Sequence, residues 1–146
     1  GQPSDFLRGN RLLLKSELQS GQIARSAKID GRAKIINPVT VGERAKIGEN
    51  SIVGPNVTLC DDVLIGSRVS IKNSVVLEGA VISDLSSIQG AIIGEDAAIG
   101  KRVKTSVNVM IGGNAIIHDE VKLPRGVAVC PHKEVTQNTR TGKCFM

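Results

Sequence analysis

Two side chains in this sequence are suited to proton transfer near neutral pH, His118 and His132. A histidine of this kind serves as general base toward an acceptor hydroxyl or amine, the step that acyl transfer needs. His118 directly follows the aliphatic Ile117 and is expected to point outward. Its neighbour Asp119 cannot complete a dyad with it, because adjacent strand residues project to opposite faces. His132 lies in a PHK segment, where a capping hydrogen bond to backbone is the expected role. The three cysteines, Cys60, Cys130 and Cys144, form no CxxC pair. Cys60 and Cys130 have no histidine or second cysteine at metal-ligand spacing, so no zinc site is predicted. Reduced thiols and a cytoplasmic location are the expectation. Asp61-Asp62 reads as an exposed corner pair, and Gly112-Gly113 as a corner requiring positive φ rather than a phosphate cradle. No residue is assigned a catalytic, cofactor-binding or metal-binding role.

The elements that would position these groups are constrained by composition. The chain of 146 residues is 40% apolar, yet it has no Trp, no Tyr and only Phe6 and Phe145, both near the termini. Its core must therefore be built from Ile, Val, Leu and Ala in small repeated layers, without the aromatic anchors that compact enzyme folds use. The net charge of +5 comes from 19 basic and 14 acidic residues interspersed along the chain, as in RSAKIDGRAK. No aromatic is interleaved with the basic residues, so no base-stacking platform exists and nucleic acid is not an expected partner. No apolar stretch approaches the ~20 residues of a spanning helix, and no membrane partner is expected.

A period of six organises the rest. Steps of six from Ile23 reach Ile29, Ile35, Val41, Ile47, Val53, Leu59, Ile65 and Ile71. A step of five gives Val76, sixes give Ile82 and Ile88, and a second five gives Ile93. Sixes then continue through Ile99, Thr105, Ile111, Ile117 and Leu123 to Val129. Thr105 alone breaks the aliphatic rule. Four residues after these positions lies a second column of Ala, Ser and Val, broken only by Ile92. Six is a multiple of the strand period of two and not of 3.6, which excludes helix. The prediction is an all-β fold, a single-stranded left-handed parallel β-helix of about six coils over residues 23–130.

Residues 18 apart should stack on neighbouring coils, placing Arg25 over Glu43, Arg44 over Asp62 and Lys28 over Lys46. A linking helix is expected within residues 1–22, from a turn-type start at Pro3-Ser4-Asp5 to a Gly21 stop. Residues 131–146 are expected to leave the repeat at Pro131 as an extended tail. Helix and tail together would cap the stack.

The segment GQPSDFLRGN, the hexapeptides VGERAKIGENSIVGPNVTL and IKNSVVLEG, and a PHK segment near a terminal Met resemble the carboxyl-terminal part of sugar-1-phosphate nucleotidyltransferases. Among them the order of motifs is most similar to mannose-1-phosphate guanylyltransferases. The resemblance implies a parent enzyme that transfers a nucleotidyl group from a nucleoside triphosphate to a sugar 1-phosphate, with Mg2+ in its catalytic domain. The Gly-rich nucleotide loop and acidic metal motif of that domain are absent from these residues. The chain is therefore expected to be the detached β-helix domain, inactive alone, with no cofactor of its own. Its implied partners are its own catalytic domain and further copies of itself, met through β-helix faces. The alternative from another class is a hexapeptide acetyltransferase using acetyl-CoA, with His118 or His132 as base.

Overall fold

The computed structural model describes residues 21–138 and 144–145. The expected linking helix lies outside these residues, as does most of the tail. Within them the chain winds as a left-handed parallel β-helix of about six coils, as the period of six predicts. Strands of two or three residues alternate with turns, and they line up into three parallel sheets of eight, seven and six strands. Each sheet is one face of a triangular prism. The first face runs from strand Gln22–Ile23 to strand Cys144–Phe145, the second from Lys28–Ile29 to Glu134–Val135. The third runs from Lys34–Ile35 to Lys122–Leu123.

The aliphatic column fills the prism. From Val41 to Val129 its members are buried, with Ile71, Ile82 and Ile93 fully enclosed. In the first coil, Ile29 and Ile35 are only partly buried and Ile23 is 48% exposed, so packing tightens away from that end. Strand alternation points the residue before each inward aliphatic away from the core.

The small-residue column has a correction at the two five-residue steps. The residues buried there are Ser74 and Ala91, which pair with Val57 and Val109 of the neighbouring coils. Val75 and Ile92, the residues counted four after Ile71 and Ile88, point to the other side of their strand. They form a separate buried cluster with Leu77. Ile92 therefore breaks no rule: the deletion falls before the small position, and Ala91 occupies it. Stacked partners are 17 apart across the shortened coils, as in Val81↔Leu64, and 18 apart elsewhere, as in Ile116↔Ala98.

A third column sits at the corners. From Arg44 to His132, one residue per step has φ near +60°, including Asn50, Asn56, Asn108 and Asn114 as well as Gly79 and Gly126. The column shortens from Arg68 to Asn73 and from Leu85 to Gly90, in phase with the core. Asn and Asp tolerate this left-handed conformation better than other L-residues. The chain turns each corner at these positions.

Gly112-Gly113 plays a different part from the one expected. Neither residue has positive φ; Asn114 supplies it instead. A Cβ on Gly112 would fall 2.4 Å from the Pro131 nitrogen, so the absent side chain serves close approach of two coils.

The repeat also continues beyond the expected boundary at residue 130. Strand Glu134–Val135 pairs with Ile116–Ile117, and Val135 extends the buried column. Pro131 occupies a corner, where a residue without an N–H costs the ladder nothing. Strand Cys144–Phe145 then adds to the first face beside Ala128–Val129.

Candidate functional site

His118 projects from the edge of the second face, as expected, and its ring is exposed. Its Nε2 lies 2.8 Å from Oε2 of Glu134. Two backbone hydrogen bonds fix this corner, from the His118 N–H to the Val135 carbonyl at 2.9 Å and from the Val121 N–H to the His118 carbonyl. Asp119 turns away from the imidazole and accepts the Lys101 N–H at 2.8 Å, so the adjacent pair is no dyad. The carboxylate that does face His118 belongs to the next coil, because Ile116 stacks on Glu134. A carboxylate on one imidazole nitrogen orients the ring.

His132 does not join this pair. It is one of the left-handed corner residues, with φ of 65°, and its N–H donates to the Gly113 carbonyl at 2.9 Å. That bond is made by the main chain of His132 and not by its imidazole.

The remaining candidates are spread over separate corners. Asp61 accepts the Glu43 N–H at 2.8 Å, and Asp62 accepts a two-pronged bond from Arg44 at 2.8 and 3.1 Å. Arg44 over Asp62 is the stacked pair that the 18-residue spacing predicts. Arg25 over Glu43 is not formed, because the Glu43 carboxylate is taken by the Ser26 hydroxyl. The Arg44 guanidinium holds the Asp62 carboxyl below the usual carboxylate range. Lys28 stacks on Lys46 on the second face, and Lys104 stacks on Lys122 on the third.

Cys60 is a free thiol at a corner, half-buried; burial, then the negative charge of Asp61, Glu78 and Glu95, pushes its pKa up. Cys130 is disulfide-bonded, against the expectation of three reduced thiols. Spacing in the sequence could not show that the chain's last strand returns beside Ala128–Val129. Among the described residues no group of three or more His, Cys, Asp or Glu converges on a metal-binding position. No helix among these residues is long and apolar enough to cross a membrane.

Residues 35–145 match the family described as the GMPPB C-terminal domain. The chain belongs to that family. It is accordingly the C-terminal β-helix domain of a mannose-1-phosphate guanylyltransferase-like protein, as the motifs in its sequence suggest. Among solved structures it is similar to the acetyltransferase domain of PglB from Neisseria gonorrhoeae in complex with acetyl coenzyme A. The TM-score is 0.56 at 16% identity, over 87% of this chain and 64% of that one. It is also similar to LpxA from Acinetobacter baumannii, with a TM-score of 0.50 at 15% identity over 83% of this chain and 69% of that one. At such identities the likeness is one of fold. The GMPPB-type domain also spans just under two thirds of the PglB acetyltransferase chain.

Proposed function

We propose that this domain supports a nucleotidyltransferase that makes an NDP-sugar, GDP-mannose-like, from a nucleoside triphosphate and a sugar 1-phosphate. In that reading it braces the catalytic domain and sets how copies assemble, while the chemistry takes place in the catalytic domain with its Mg2+. The family match over residues 35–145 carries the reading. The surface is in keeping with it, since the ion pairs Arg44–Asp62 and His118–Glu134 stand at separate corners of the described residues. The test is to incubate the 146-residue chain with GTP, mannose 1-phosphate and Mg2+ and to follow pyrophosphate. No release above background is expected. Release that scales with the chain and survives further purification would overturn the reading.

One observation favours a second reading, the acetyltransferase. The His118–Glu134 pair has the composition of a general base with its orienting carboxylate, and it is exposed to an incoming acceptor. Titration calorimetry with acetyl-CoA separates the two proposals. Saturable micromolar binding, with acetyl transfer lost in His118→Ala, would promote this second reading; absence of binding leaves the pair as a corner brace.

A further inference from the structure

The second face carries a row of outward residues in continuous register: Lys28, Lys46, Leu64, Val81, Ala98, Ile116 and Glu134. Its centre is apolar, with Leu64 40% and Ile116 45% exposed. One end is cationic and the other anionic. We propose that this face is an interface with a second copy of the chain, the two prisms lying antiparallel about a two-fold axis through Val81. The inference rests on the assembly role proposed above and specifies where that assembly is made.

Symmetry and charge select this arrangement. A two-fold axis along the strand direction reverses the row against itself. Lys28 then faces Glu134 of the second copy, whose Oε2 also holds His118 of its own chain, at both ends of the interface. Lys46 lies over Ile116 of the second copy, covering it with its aliphatic stem. Leu64 meets Ala98, large against small, and Val81 meets its own counterpart. The other face-to-face two-fold, with the axis along the prism, would set Lys28 on Lys28 and Glu134 on Glu134, and like charges in register oppose association.

The other faces fit less well. The third face has the outward row Lys34, Ile52, Ser70, Ser87, Lys104, Lys122. It is cationic at both ends, so reversing it sets Lys34 against Lys122. On the first face the apolar residues Val75 and Ile92 are already buried, and offer nothing to a second copy.

The size of the contact sets the expected strength. Seven strands at ~4.8 Å spacing give a row of about 29 Å, and one hexapeptide side is about 17 Å wide. About 500 Å² per copy, or 1,000 Å² in total, lies at the low end for specific interfaces. A weak dimer that forms with concentration and loosens with salt is the consequence.

Sedimentation velocity of the 146-residue chain over a concentration series tests this. Leu64→Glu should abolish association. Lys28→Glu and Glu134→Lys should each raise the dissociation constant at least about tenfold. The double variant, which exchanges the two charges, should recover most of the loss, because each new carboxylate again faces a new ammonium. All three positions are exposed, so circular dichroism should show every variant folded. Association that ignores Leu64→Glu, or a double variant no better than the singles, would overturn this face while leaving the assembly role intact. A chain that stays monomeric at every concentration would overturn both.

Discussion

Thr105 offers the sharpest test of how this prism is held together. It is the one polar residue in the aliphatic column, and it is nearly buried, with 7% of its surface exposed. Column logic alone says that Thr105→Val should stabilise the fold by about 1 kcal/mol, roughly the worth of one buried methyl group. The hydrogen bonds say the opposite. The coil beneath Thr105 is shortened between Ile88 and Ile93, and strand Ser87–Gln89 pairs with strand Lys104–Thr105 only through Ser87↔Lys104. The Thr105 hydroxyl fills the gap, accepting the Gln89 N–H at 3.0 Å and donating to the Gln89 carbonyl at 3.3 Å. Two such bonds contribute about 1 kcal/mol each, and an orphaned part-buried N–H adds a further cost toward the low end of about 1–3 kcal/mol. Against the methyl gain, Thr105→Val should therefore lose about 1–2 kcal/mol. Thr105→Ser keeps the hydroxyl, drops one methyl and should lose about 1 kcal/mol. Urea unfolding followed by circular dichroism reads both variants. A Val variant with a higher midpoint and unchanged slope would refute the bridging role and return Thr105 to the status of a tolerated exception.

Ile82→Ala, at a fully enclosed position, should cost about 2–5 kcal/mol in the same urea assay, and a loss below 1 kcal/mol would show a looser core than the burial implies. Cys60 should react slowly with iodoacetamide near neutral pH, since its raised pKa keeps the thiol protonated; site-resolved mass spectrometry should place the rate increase above the ordinary thiol range near ~8.5. Asp62→Asn should lower the unfolding midpoint near neutral pH. Because the Asp62 pKa is depressed in the folded state, its contribution is complete above ~3.9 and is lost as the pH falls through the folded value. The two proteins should converge in strong acid, and a gap that persists there would remove Arg44 as the cause.

Much of the fold could be read in the sequence because every coil repeats one physical requirement. An inward aliphatic every six residues is enforced by the interior itself, so the columns from Val41 to Val129 stood out without any structure. Thr105 and Ile92, the exceptions to the two columns, border the second shortened step, where coils of unequal length must be reconciled. One substitutes a hydroxyl for lost ladder bonds, and the other is an outer residue once Ala91 takes the inner place. The left-handed corners were harder to see, because Arg68, Leu85 and Glu120 hold φ near +60° without being Asn or Gly. The His118–Glu134 pair was hidden by Pro131. A proline reads as the end of a strand pattern, yet this one sits in a corner, and the half-coil after it brings Glu134 under Ile116. The 18-residue register, carried past Pro131, puts Glu134 on Ile116 and Thr136 on His118, so the diagonal contact 16 residues apart had no signal in the spacing.

The geometry that makes the fold legible also limits the chemistry it can host. A catalytic centre needs side chains from several elements aimed at one point, and a convex prism aims its outward side chains apart. Stacked coils lie about 4.8 Å apart, which brings charged side chains of neighbouring coils together, as in Arg44–Asp62 and His118–Glu134. A pocket on such a body must borrow a wall from something else, either another domain of the same protein or a second prism. The same flatness that disperses reactive groups presents Leu64, Val81, Ala98 and Ile116 as one level row. Flat rows with opposite charges at their two ends are suited to lying against one another.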